Sequence, residues 1–287
     1  MINEVFGIMR PKQWYKNLVV FVAIFFSKGI FNLNMLEASI LAFISLCLVS
    51  SATYITNDII DAESDRHHDK KKSRPIASGR MSVQSAIILS FILYAAGFAI
   101  SFYVGKLVLI SVAVLVILSQ IYNLWIKNIA FADITLLSTN FMIRAVIGGF
   151  AIGVTVSSWL ILGAYVLALF LSTAKRKSDL VILGEKAASY KKVFVVYTKQ
   201  MLEQIIVIAS TLLLMSYCLY IFLGSKSGLL EAIATVPVVF FMVFRYCHLA
   251  SMNSDAARSA ELVFKDKQMI ASMALWFIIF FIGLYYG

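Results

Sequence analysis

Apolar residues in this chain come in stretches of about 20, enough at 1.5 Å per residue for a helix to cross a hydrocarbon core of ~30 Å. Nine such spans are predicted, at 14–31, 35–56, 83–104, 107–125, 131–153, 157–174, 202–223, 228–247 and 267–286. The expected fold is therefore all-α, a polytopic integral membrane protein. No polar block between the spans is large enough to fold alone, so residues 1–287 are read as a single transmembrane domain. Basic residues precede the first apolar run as in a signal peptide. No small-residue cleavage site follows, however, and that run is expected to stay as a membrane helix.

The polar connections set the expected orientation. With a cytoplasmic N-terminus, about 21 Lys and Arg residues fall on the cytoplasmic side against about three outside (Lys28, Lys106 and Lys226), with Arg144 inside a span. The long connections, and with them the chemistry, then face the cytoplasm of a bacterial-type membrane, and the C-terminus lies outside. Composition agrees: 61% of the 287 residues are hydrophobic, 14% are charged, and the mean hydropathy is +0.88. The net charge of +10 follows from this topology, which makes nucleic acid a poor partner. A homo-oligomer is compatible with everything in the chain. Cys47, Cys218 and Cys247, widely spaced in or beside apolar runs, read as packed membrane cysteines.

Residues 57–80, NDIIDAESDRHHDKKKSRPIASGR, hold most of the acid–base character. Asp58, Asp61 and Asp65, at i, i+3 and i+7, stack along one face of a helix continuing from the span before. Three carboxylates repel one another unless a cation sits between them, and hard oxygen ligands suit Mg²⁺, which completes its shell with water and substrate phosphates. Arg66, Lys70, Lys71, Lys72, Arg74 and Arg80 follow, the charges a metal-bound diphosphate needs around it. Arg74-Pro75 and Ser78-Gly79 make this part a loop. His67 and His68 read as solvated loop residues.

Elsewhere the polar positions leave alternatives. RPKQWYKN (Arg10–Asn17) is either an interfacial anchor or a segment whose Lys16 and Asn17 point inward. Asp133, Asn140 and Arg144 share a helix face, and Arg144 lies about 20 Å along it, near mid-bilayer. Such a charge either faces a polar cavity or joins helices through a buried pair. Lys175, Arg176 and Lys177, with Asp179 following, are placed in a cytoplasmic connection. There they act as a topology signal, a contact for lipid headgroups or a phosphate clamp. Tyr197, Glu203 and Gln204 sit at the mouth of the next span, and the polar segment with Arg258, Glu261, Asp266 and Lys267 reads as a loop or surface helix.

Asn57, Asp58, Asp61 and Asp65, with Arg74-Pro75 and Gly79, resemble the first aspartate-rich motif (NDxxDxxxD) and the RP(I/L)xxG tail of the UbiA superfamily of intramembrane prenyltransferases. RPKQWYKN, RPIASG, Tyr122 with Lys127 and Asp133, Arg144, KRKSD and RYCHLA…ELVFKDK extend the likeness to the superfamily's decaprenyl-phosphate phosphoribosyltransferase branch, from Arg10 to about Trp276. Asp69 departs from that branch, which commonly has proline there. A larger departure is from the superfamily's second motif, DxxxD: Asp179 is followed at i+4 by Leu183, beside the basic Lys175-Arg176-Lys177.

The resemblance implies a UbiA-type bundle with a cytoplasm-facing cavity and Mg²⁺-dependent transfer of a 5-phosphoribosyl group from phosphoribosyl pyrophosphate to a polyprenyl phosphate. Asp58, Asp61 and Asp65 are then the metal ligands and catalytic residues. Asn57, Lys16, Lys71, Arg74, Tyr122 and Lys127 would bind the donor; Lys175, Arg176, Arg144 and Asp179 would bind the lipid phosphate. The acceptor is already ionised at neutral pH, so no general base is needed. Two rivals stand beside this reading: an aromatic prenyltransferase consuming a prenyl diphosphate, and a lipid or ion transporter.

Overall fold

The computed structural model describes residues 2–67, 71–224, 229–252, 263 and 265–286. His68, Asp69, Lys70, Lys226, Arg258 and Glu261 lie outside the described residues. The described residues are helical and contain no strand. In chain order they form α1 (Ile2–Met9), a 3₁₀ helix (Pro11–Phe21), α2 (Val22–Phe26), α3 (Leu33–Ile60), α4 (Ala62–Arg66), α5 (Val83–Val104) and α6 (Lys106–Leu124). There follow α7 (Ala132–Ala151), α8 (Ser158–Leu183), α9 (Ala187–Tyr190), α10 (Lys199–Leu219), α11 (Leu229–Ala234), α12 (Val236–Ser251) and α13 (Lys267–Tyr285).

Several helices start where a short polar side chain can take up amide groups that have no partner within the helix. Asn32 accepts from the amides of Asn34 and Met35, Ser82 from Ser85, Thr198 from Met201 and Asp266 from Met269. Among the described residues, eight helices are long and apolar enough to cross a membrane. The chain is an integral membrane protein.

The sequence led to nine spans, and the difference lies in the first. Residues 14–31 are not one α-helix: Pro11 opens an eleven-residue 3₁₀ helix, and five residues of α-helix follow before the chain turns. Hydropathy is blind to this, because the 3₁₀ form carries the same side chains at a rise of about 2.0 Å per residue. A second difference matters more for function. The helix expected to end at residue 174 runs on to Leu183, so Lys175 to Asp179 lie on a helix and not in a connection.

The chain divides into two compact units. The first comprises Met1–Leu124 and Ile143–Thr155, the second Trp125–Met142 and Val156–Gly287. In the first, α3 packs along α5, and Gly97 lets the two close up. A Cβ there would lie 2.6 Å from Val49 Cγ1, and the Ser45 hydroxyl donates to the Gly97 carbonyl at 2.8 Å. Gly148 of α7 does the same for the 3₁₀ helix: a Cβ would stand 2.1 Å from the Val20 carbonyl oxygen. In the second unit, the core of α8, α10, α12 and α13 gathers Phe170, Ala174, Ala209, Val243 and Tyr246.

Candidate active site

The first unit carries an acid–base cluster at the end of α3. Asp58, in the helix's last turn, and Asp65, in α4, are each 2% exposed. Asp61 is the single residue between the two helices, and its carbonyl accepts the amide of Asp65 at 2.8 Å, so the chain stays close to helical through the break. Burying carboxylates to this depth requires cations beside them. Arg10 Nη2 donates to both Asp58 oxygens, at 2.6 Å and 2.8 Å. Arg74 Nη1 donates to Asp58 Oδ1 at 2.9 Å and to Asp65 Oδ2 at 2.6 Å. Lys71 Nζ is 3.6 Å from Asp65 Oδ1.

Arg10, in the RPKQWYKN segment that the sequence leaves open between an interfacial anchor and an inward-facing stretch, is a partner of Asp58 that the sequence does not single out. It sits in the left-handed region at φ 52°, immediately before Pro11, and its guanidinium lies 5.2 Å from the centre of the Tyr54 ring. A non-glycine residue held there is strained, and such strain persists only where surroundings enforce it. Here Trp14 Nε1 donates to Ser51 Oγ at 3.0 Å, while the Ser51 hydroxyl donates to the Met9 carbonyl at 2.9 Å, tying both sides of Arg10 to α3. Arg10 and Asp58 are 48 residues apart, and no local sequence pattern links them.

The other donor-side candidates are spread more widely. Asn57 is half-buried one residue before Asp58, and Tyr122 is half-buried in the last turn of α6. Lys16 lies 5.9 Å from the centre of the Tyr15 ring. Lys127 belongs to the second unit, in a short 3₁₀ turn. Arg144 belongs to the first unit, and Lys175, Arg176 and Asp179 belong to the second. Arg144 Nε donates to Asn17 Oδ1 at 2.9 Å, and Asn17 Nδ2 donates to Cys47 Sγ at 3.4 Å.

The second unit carries the basic cluster, built on the extension of α8. Lys175 is exposed, whereas Arg176, Lys177, Ser178 and Asp179 are buried. Arg176 Nε donates to Asp133 Oδ2 at 2.8 Å, with Asp133, in the first turn of α7, fully buried. The Tyr197 hydroxyl donates to the other Asp133 oxygen at 2.6 Å and accepts from the Phe131 amide at 2.7 Å. Phe131 is itself at φ 66°, its ring edge-on to Tyr197 with centroids 5.3 Å apart. Lys177 Nζ pairs with Glu203 at 2.9 Å.

Burial, and then the Asp133 carboxylate, push the Tyr197 hydroxyl above its usual range, so it remains a donor. Lys191, which no sequence signal singled out, is pushed down to about 7. Burial is the main cause, and the positive charge of Arg176 comes next. Asp133, partly offset by Lys175, and Asp179 pull the other way.

Whether the acidic cluster suits a divalent cation can be judged from its donors. Among the described residues no group of three or more His, Cys, Asp and Glu side chains is gathered closely enough to hold a metal. Two carboxylates do converge, with Asp58 Oδ1 and Asp65 Oδ2 meeting on one Arg74 nitrogen. One or two protein carboxylates are what Mg²⁺ takes when phosphate oxygens and water supply the rest. The donor set fits magnesium bound together with a phosphate-bearing substrate.

The UbiA prenyltransferase family model matches residues 17–278. The decaprenyl-phosphate phosphoribosyltransferase of Corynebacterium glutamicum is 31% identical over 277 residues, covering 93% of this chain and 82% of that protein. Its namesake from Mycolicibacterium smegmatis is 27% identical over 290 residues, covering 96% and 91%. A UbiA homologue from Archaeoglobus fulgidus, solved bound to GPP and Mg²⁺, shares the fold with a TM-score of 0.76 at 17% identity, over 99% of this chain and 100% of that one. With the family match running from the 3₁₀ helix into α13 and taking in Asp58, Asp65 and Arg74 as well as the basic cluster on α8, the chain belongs to the UbiA prenyltransferase family.

Proposed function

We propose that this protein transfers the 5-phosphoribosyl group from phosphoribosyl pyrophosphate to a polyprenyl phosphate, releasing pyrophosphate. The observation that carries this reading is the near full-length similarity to proteins named decaprenyl-phosphate phosphoribosyltransferase. The chemistry of the two clusters supports it: carboxylates with guanidinium partners suit a diphosphate held through a metal, and a basic turn on α8 suits a monophosphate held directly.

Asp58 and Asp65, with Asp61, would hold Mg²⁺, which when bound neutralises charge building on the departing diphosphate. Arg74 and Lys71, with Asn57, Lys16, Tyr122 and Lys127, would orient the donor's phosphates. Lys175 and Arg176 would hold the lipid phosphate, Asp133 fixing the Arg176 guanidinium, with Arg144 and Asp179 as further candidates. One acceptor phosphate oxygen forms a bond to C1 of the ribose as the bond from C1 to pyrophosphate breaks. No proton has to be removed from the acceptor. Residues 1–287 would be a single catalytic domain, and the Lys- and Arg-rich connections with the N-terminus would face the cytoplasm.

A prenyl-diphosphate reading is favoured by the family's name and by the GPP in the Archaeoglobus fulgidus structure. Leu183 at the fourth position after Asp179, where the superfamily's second motif has its other carboxylate, argues against it. Incubating the purified protein with each donor and acceptor pair separates the two. Turnover of phosphoribosyl pyrophosphate with a polyprenyl phosphate supports the proposal; turnover of a prenyl diphosphate with an aromatic acceptor alone overturns it.

A further inference from the structure

Arg74 occupies the oxygens that the proposed metal site needs. Its Nη1 lies 2.9 Å from Asp58 Oδ1 and 2.6 Å from Asp65 Oδ2, so one cationic nitrogen stands where the two carboxylates converge. Asp58 Oδ1 also accepts from Arg10 Nη2, which leaves that oxygen serving two guanidinium donors. A carboxylate oxygen has two lone pairs, and Mg²⁺ requires its ligand oxygens at about 2.1 Å. A divalent cation held by Asp58 and Asp65 would compete with Nη1 for these same oxygens. The two are mutually exclusive there.

The two arginines are not equivalent. Arg10 is held by a strained backbone, by the Tyr54 ring and by the Trp14–Ser51–Met9 contacts on either side of it. Arg74 precedes Pro75 in a loop, and its guanidinium fits diphosphate oxygens as readily as carboxylates.

We infer that Arg74 is an exchangeable counter-ion. It bridges Asp58 and Asp65 until metal and diphosphate enter together, then moves onto the diphosphate, while Arg10 stays as the positioning residue of Asp58. The inference rests on the reading that these aspartates hold the metal. Free metal must displace Arg74 with nothing to receive its charge, whereas metal arriving with diphosphate supplies the receiving oxygens. Metal and diphosphate therefore each raise the other's affinity by the same factor.

The test is binding, not turnover. The full-length protein in detergent is titrated with Mn²⁺, bound metal being read by electron paramagnetic resonance, with and without inorganic pyrophosphate. Asp58→Asn gives the background. Wild type is expected to bind Mn²⁺ weakly alone and at least about tenfold more tightly with pyrophosphate. Arg74→Gln, freed of the competing charge, is expected to bind Mn²⁺ alone about tenfold more tightly than wild type and to lose most of the pyrophosphate effect. Arg74→Lys, which keeps the charge, should fall between the two. A merely structural role gives the opposite sign, since loss of Arg74 would loosen the carboxylates and weaken metal binding.

If Arg74→Gln binds Mn²⁺ no more tightly than wild type, the exchange is wrong although the metal site stands. If no protein binds Mn²⁺ above the Asp58→Asn background under either condition, the metal reading falls as well. Should Arg74→Gln fail to fold, wild type still decides: equal affinity for Mn²⁺ with and without pyrophosphate overturns the exchange.

Discussion

The Tyr197 hydroxyl donates to Asp133 at 2.6 Å while taking the amide of Phe131 at 2.7 Å, and so holds both the carboxylate that tethers Arg176 and the strained residue two positions before it. Tyr197→Phe removes both bonds at a buried site, and the expected loss is about 1–3 kcal/mol. Asp133→Ala takes the carboxylate from beside the buried Arg176 guanidinium and should cost more, about 3–5 kcal/mol. Thermal unfolding in detergent measures both. Each variant should also raise KM for the polyprenyl phosphate more than KM for the donor, because Arg176 is assigned to the acceptor.

Lys191 supplies a pH dependence. Its folded value of about 7 lies below the ordinary 10.5, so between these limits the unfolded chain binds a proton that the folded chain does not. Stability should rise with pH through this window and fall back as pH drops toward 7. Tyr197, pushed upward from the ordinary 10.0, keeps its proton when an unfolded tyrosine loses it, so it works against the trend only at the upper edge of the window. Melting temperatures of wild type and Lys191→Met between pH 7 and 10 test this: the variant should lack the rise. An equal rise in both would assign it to another group.

Two glycines are expected to be irreplaceable for steric reasons. A methyl group at Gly148 meets the Val20 carbonyl oxygen at 2.1 Å, and backbone cannot swing aside as a side chain can. At Gly97 it meets Val49 Cγ1 at 2.6 Å and the Ser45 carbonyl at 3.2 Å. Overpacking of this kind costs about 1–3 kcal/mol, and more where backbone is struck, so Gly148→Ala should be the worse of the two. Gly163→Ala is the control, its new methyl group lying in ordinary contact at 3.7 Å from Ser216 Oγ. Melting temperatures should fall in the order Gly163→Ala, Gly97→Ala, Gly148→Ala.

The spanning helices could be read from the chain because membrane solubility writes itself as runs of apolar length, and the Asp58, Asp61 and Asp65 spacing because it is local to about two turns of helix. Partner choice was not local. Arg10 and Asp58 are 48 residues apart, and nothing in RPKQWYKN distinguishes a lysine or arginine at the membrane surface from one folded onto a carboxylate. Lys175 to Asp179 lie on a helix for a related reason: Asp133 and Glu203, distant in sequence, supply counter-charges that let α8 continue past residue 174 with Arg176 and Lys177 buried.

The most direct measurement is the formation of lipid-linked product. Membranes containing the protein are supplied with ribose-labelled phosphoribosyl pyrophosphate, a polyprenyl phosphate and Mg²⁺. Label is expected to enter the lipid with one pyrophosphate released per transfer, to stop when Mg²⁺ is chelated, and to fall at least about 100-fold in Asp58→Ala and Asp61→Ala. Absence of labelled lipid, or an unchanged rate in either variant, would contradict the assignment.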